Sequence, residues 1–226
     1  TKNVNNNVIK KICVLFFFLN IVLSQDKIEL KQADSLSSLQ INNETVTSLI
    51  GDVIFKKGDQ LLFGDRAIQS SDNNQIKLFH NVKIQDGNKI ILCDSLSFDT
   101  NTDKIQLFGK VTINNDNQLI TSDQAELDNE NEKITLLQNS KVVSGDQRIE
   151  GDLIEIIYND NKIESLKIIK NGVIFSQNSG YEKDNNKNEI VEKEDILKGN
   201  IIKVTMSDSE VNEIELEGMA SSFIHL

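Results

Sequence analysis

Aspartate recurs in this chain on a beat of 29 residues: Asp65, Asp94, Asp123 and Asp152 stand at equal spacing. A valine keeps nearly the same time at Val53, Val82, Val111, Val142 and Val173, in steps of 29, 29, 31 and 31. A fixed period of this length marks a stacked or wrapped architecture, in which each unit buries its face on its neighbours. Such a fold has a long continuous interior and two open ends. Those properties suit a conduit or a scaffold better than a compact enzyme.

The residues around each aspartate follow a rule. Three positions before it stand Leu62, Ile91, Ile120 and Ile149; one before it stand Gly64, Cys93, Ser122 and Gly151, all small. Two after it stand Ala67, Leu96, Ala125 and Ile154; four after it, Gln69, Phe98, Leu127 and Ile156. A strand shows one face at every second residue. The positions before the aspartate are in phase with each other, as are those after it, but the two sets differ by one residue. The inward face therefore changes parity at the aspartate, as it does at a β-bulge or a sharp corner. The small residue would fit inside the bend. The carboxylates of Asp65, Asp94, Asp123 and Asp152 are then structural corner residues, placed to hydrogen-bond free backbone N–H groups.

Each unit continues into a short alternating strand, such as Ile76-Lys77-Leu78, Ile105-Gln106-Leu107 or Ile134-Thr135-Leu136. A Gly or Asn then leads into Val-x-Ile/Phe at Gly51, Asn81 and Gly109. Alternation of this kind predicts strands with one buried and one wet face. Asp86-Gly87-Asn88, Asn114-Asn115-Asp116-Asn117 and Asn159-Asp160-Asn161 read as hairpin turns. A weaker unit precedes the others at Ala33-Asp34-Ser35-Leu36, and a further one fits at Leu197, Gly199, Asn200, Ile202 and Val204. No amphipathic helix stands out after residue 25. Residues 178–198, dense in charge and Asn, read as a solvated loop insertion. Strand register runs up to Leu226, so the domain reads as truncated there.

The first residues look like targeting. Lys10 and Lys11 flank an apolar run from Ile12 to Leu23, and Val22-Leu23-Ser24 offers a cleavage site before Gln25. A run this short reads as a signal peptide, residues 1–24, sooner than as a membrane span. The folded domain would cover 25–226. Loss of Lys2, Lys10 and Lys11 would move the net charge from −11 to −14. That balance argues against nucleic acid, which needs a basic footprint. With Cys13 removed, Cys93 is the one remaining cysteine, so no internal disulfide is expected. Cys93 sits in the small corner slot and does not read as a nucleophile. Catalysis finds no support: His80 and His225 are the only histidines, with no triad, phosphate loop or zinc spacing. No cofactor is called for. One carboxylate per unit fits a corner better than a calcium ladder, so no metal is expected.

The recurring pattern Ile-x-x-Asp-x-Leu-x-Phe/Leu, then Lys-Ile-x-Leu-x-Gly-x-Val-x-Ile, resembles the OstA/LptA family of periplasmic lipopolysaccharide-transport proteins. It is clearest over Ile91 to Ile113 and again over Ile120 to Val142. The resemblance implies an all-β fold, a twisted open β-jellyroll of stacked antiparallel strands, whose hydrophobic interior shields the acyl chains of lipopolysaccharide. It implies a periplasmic carrier or bridge that passes this lipid, through its lipid A acyl chains, toward the outer membrane. Leu96, Phe98, Ile105, Leu107, Ile113 and Leu127 are the inward slots expected to meet acyl chains. Implied partners are the jellyroll domains of inner- and outer-membrane transport proteins, together with head-to-tail copies of the chain. The candidate edges are Ile28 to Leu30 and Ile214 to Leu216. The alternative is a structural β-solenoid, a scaffold or adhesin stalk without a ligand, whose interior is filled by its own side chains.

Overall fold

A computed structural model describes residues 27–223 without 42–43, 71–73, 116–117, 160–161, 185–186 and 208–209. The expected signal peptide lies outside the described residues. The strands are β1 (Glu29–Gln32), β2 (Ser35–Ile41), β3 (Glu44–Lys57), β4 (Gln60–Ser70), β5 (Gln75–Asp86), β6 (Lys89–Asp99) and β7 (Lys104–Asn115). They continue as β8 (Gln118–Asp128), β9 (Lys133–Ser144), β10 (Gln147–Asn159), β11 (Lys162–Asp184), β12 (Lys187–Ser207), β13 (Glu210–Glu217) and β14 (Ser221–Phe223). All belong to one antiparallel sheet of 14 strands, and from β3 to β13 each strand pairs with the next in sequence. The fold is all-β, as the alternation predicts, with no helix among the described residues.

The sheet is creased along one line. Pairing breaks register between Phe63 and Arg66, between Leu92 and Ser95, between Thr121 and Gln124, and between Gly151 and Leu153. These are the positions of the aspartate beat. Burial changes parity there: Ile91 and Cys93 are buried before the break, Leu96 and Phe98 after it, and Asp94 faces solvent. The crease lets the two halves of every long strand face each other as two walls. Between them runs one cluster from Leu49 to Val204, with Phe55, Phe98, Leu62, Leu78 and Leu107 among its fully buried members. Two inner sheet faces packed this way stand about 10 Å apart.

Both ends of the sheet repeat the crease with a broken strand. β1 pairs with the 54–56 stretch of β3 and β2 with its 44–50 stretch. At the far end β13 pairs with the 201–207 stretch of β12 and β14 with 196–198. Leu30 and Leu36 lie opposite buried Phe55 and Leu49, yet are themselves exposed, and Ile214 opposite Val204 is exposed too. Among the described residues the apolar interior is therefore uncapped at both ends.

Residues 178–198 are not a loop. β11 and β12 pair without interruption from Gly172↔Gly199 to Asp184↔Lys187. The partnership of β10 with β11 stops at Gln147↔Ser176. Beyond that point the hairpin has no third strand among the described residues, so nothing there demands the apolar alternation by which a strand is recognised. Charge density there reflects a missing neighbour rather than missing strand structure.

Candidate functional site

The crease is built from two kinds of strand. β4, β6, β8 and β10 supply the aspartates. The strands between them supply pairs of consecutive left-handed residues: Gly51-Asp52, His80-Asn81, Gly109-Lys110, Gln138-Asn139 and Lys170-Asn171. Where the pair ends in Asn, its side chain reaches the aspartate of the preceding strand. Asn81 Nδ2 donates to Asp65 Oδ2 at 2.8 Å, Asn139 to Asp123 at 2.7 Å and Asn171 to Asp152 at 3.1 Å. Where the pair begins with Gly, the aspartate lies on the glycine instead: a Cβ on Gly109, at φ +76, would collide with the Asp94 carboxylate. Gly and Asn are the residues that tolerate this backbone.

Asp65, Asp123 and Asp152 thus find side-chain partners on the next strand, while Asp94 packs on a glycine there. Part of the backbone's own need is met by the small residue just before two of the aspartates. Cys93 Sγ donates to the Ser95 carbonyl at 3.3 Å, and Ser122 Oγ to the Gln124 carbonyl at 2.9 Å. Burial, ahead of the Asp94 charge and against backbone hydrogen bonds from Phe108 and Ser95, pushes the Cys93 thiol up to about 12. It is a structural thiol, inert near neutral pH.

The six inward slots all lie in the interior. Leu96, Phe98, Ile105, Leu107, Ile113 and Leu127 are at most 4% exposed. They belong to one contiguous cluster, and two of them, Ile113 and Leu127, also line a cavity of about 540 Å³. This cavity opens where the free margins of the two walls meet. One margin carries the turns that close β3–β4, β5–β6 and β7–β8; the other carries those that close β4–β5, β6–β7 and β8–β9. The cavity floor is Ile113, Ile120, Leu127 and Ile134; its rim is Asp86 and Lys89 on one margin and Asp128, Glu132 and Lys133 on the other. Burial lowers the Lys89 ammonium, against the pull of Asp86. Asp128 is held down to about 2, first by its hydrogen bond from Lys104 and then by Asn131. The seam brings together turns distant in sequence, and the repeat pattern does not announce it.

A sequence profile described as OstA-like protein matches residues 25–162. The chain belongs to the OstA-like family. A second profile, described as LptA/(LptD N-terminal domain) LPS transport protein, matches residues 119–220 of this OstA-like chain. Together the two matches run from before β1 to the end of β13 and overlap across β8 to β10. The lineage is one of transport proteins rather than enzymes. No curated protein matches the chain. Among solved structures it is similar to LptH, the LptA-homologous periplasmic component of the lipopolysaccharide transport device of Pseudomonas aeruginosa. The identity is 13%, the match covers 74% of this chain and 94% of that one, and the TM-score is 0.27.

Proposed function

We propose that this OstA-like chain is a periplasmic carrier that holds lipopolysaccharide by its acyl chains between the two walls and hands it on toward the outer membrane. The observation that carries this reading is the unbroken apolar interior, open at both ends of a sheet that does not close among the described residues. An acyl chain placed there gains about 0.8 kcal/mol per CH₂ removed from water. Several chains on one lipid give ample affinity without a basic site, in keeping with the acidic charge. Leu96, Phe98, Ile105, Leu107, Ile113 and Leu127 are the proposed contacts. Ile113 and Leu127 meet the lipid first, because they already face the seam cavity.

The open ends supply the handover. β1 and β2 at one end and β13 and β14 at the other have an unpaired side among the described residues. Such edges add strands from another chain. A heterologous contact of this kind gives open head-to-tail chains, or a junction with a jellyroll domain of a membrane partner. Glu29, Glu213 and Glu215 on these edges limit indiscriminate pairing.

The scaffold reading draws on a different observation, the filling of the interior by the chain's own side chains. Mass spectrometry of the organic extract of protein purified from lipopolysaccharide-producing cells separates the two. Co-purified lipid A is the expected result, and an extract free of acylated lipid from freshly isolated protein leaves the scaffold.

A further inference from the structure

The seam is not uniform along its length, and the difference follows the repeat. At the end of β3, Lys57 reaches across to Asp103 in the turn after β6, with Nζ to Oδ1 at 2.5 Å. Its ammonium stands 5.5 Å from the Phe98 ring centroid, over the core. One repeat further, 29 residues on, the Lys57 slot is held by Asp86 and the Asp103 slot by Glu132. Asp103 and Glu132 share the same left-handed backbone, with φ of 51° and 48°, so the slots are equivalent in structure as well as in sequence. Asp86 and Glu132 both stand on the rim of the 540 Å³ cavity. Opposite charges draw the margins together at one unit; at the next, the two equivalent slots are both acidic and a cavity opens between the margins, with Lys89 and Lys133 also on its rim.

One margin is also tied along its length. Thr100 donates from its N–H and its hydroxyl to the Asn74 carbonyl, at 2.9 and 2.8 Å. Asn129 donates from N and Nδ2 to Asp103 O and Oδ1, at 3.4 and 3.2 Å. The Tyr158 N–H donates to the Glu132 carbonyl at 2.9 Å. The first two links join one turn to the next on the same margin, and the third joins the β8–β9 turn to the end of β10. The opposite margin hangs from β3, β5 and β7, which carry left-handed pairs at the crease, where ladder pairing already breaks. A few residues of that kind can absorb a swing of the wall.

We infer that the seam is a lateral port gated by charge: open to an acylated lipid at the Asp86/Glu132 unit and latched at the Lys57–Asp103 unit. This rests on the carrier reading. Acyl chains can enter between the walls only by parting their apolar side chains, and that space offers a sugar-bearing headgroup no polar partners, so the headgroup must stay outside in water. A lipid moving along the interior therefore carries its head through the seam, and the Lys57–Asp103 pair lies across that path. The latch parts for the headgroup and closes behind it.

The test is stopped-flow uptake of two probes by the purified chain: fluorescent lipid A, which has a bulky head, and cis-parinaric acid, a slim fatty acid able to thread an open end. Asp86→Lys places a second cation opposite Glu132. It is expected to slow lipid A uptake at least tenfold at low salt, with recovery at high salt as the new pair is screened, while parinaric acid uptake is unchanged. Asp103→Asn is expected to speed lipid A uptake severalfold. Lipid A rates equal to wild type in both variants, with parinaric acid still bound, overturn the port and leave the carrier reading standing. If wild type takes up neither probe, the carrier reading falls and the port with it.

Discussion

Gly109→Ala examines the crease at its tightest point. At φ +76 a non-glycine residue costs roughly 1–2 kcal/mol. The new Cβ would also lie 2.9 Å from the Cβ of Asp94, and nearer still to its carboxylate. The carboxylate can rotate aside, but no side-chain rotation moves a Cβ, so the β6 backbone must shift. Overpacking of that kind adds about 1–3 kcal/mol. The single variant should therefore lose about 2–5 kcal/mol in urea unfolding, with an unchanged m-value. Asp94→Gly removes the obstacle while leaving the strain of alanine at φ +76. In that background Gly109→Ala should cost only the backbone term, which gives a coupling of about 1–3 kcal/mol in a double-mutant cycle. Additivity to within about 0.5 kcal/mol would refute the close packing of Asp94 on Gly109, and with it the account of why glycine stands there.

Lys110→Asn places asparagine in the slot held by Asn81, Asn139 and Asn171, with Asp94 within reach; one added hydrogen bond should stabilise the chain by about 0.5–1.5 kcal/mol, read as a raised melting temperature. Asp128 has a folded-state value near 2 against an ordinary 3.8, so its contribution is present above pH 3.8 and disappears as pH falls through 2. Asp128→Asn should flatten the stability profile in that window and leave the alkaline side unchanged. The Cys93 thiol, pushed up to about 12 by burial, should resist a disulfide reagent at pH 8 in the native protein and react in full in urea; prompt native labelling would contradict a buried corner.

Much of this architecture is legible in the residues. The switch in inward parity at Asp65, Asp94, Asp123 and Asp152 lies where the pairing breaks register, and the small slot before each aspartate abuts interior side chains: a Cβ on Gly151 would collide with Ile168. The other half of the crease is harder to see. Gly51, Asn81 and Gly109 look like turns that precede a strand, because these residues usually punctuate one. In fact β3, β5 and β7 run straight through them, since a left-handed pair can kink a strand without ending it. The 178–198 stretch is misleading for the opposite reason: most of its strand length has no third strand beside it among the described residues. The seam is less accessible still. Lys57, at the end of β3, and Asp103, in the turn after β6, meet only after the sheet folds on itself, so no local pattern links them. Their counterparts Asp86 and Glu132 follow by one period, a signal that becomes readable only once the facing turns are known.

The central claim is that acyl chains lie between the walls. Photo-crosslinking tests it most directly, with a benzophenone side chain placed at Leu127, on the cavity floor, or at Gln106, on the outer face of β7 between inward Ile105 and Leu107. Exposed to lipopolysaccharide and irradiated, the chain should be labelled at Leu127 and not at Gln106. Equal labelling at both positions, or labelling at Gln106 alone, would contradict the account.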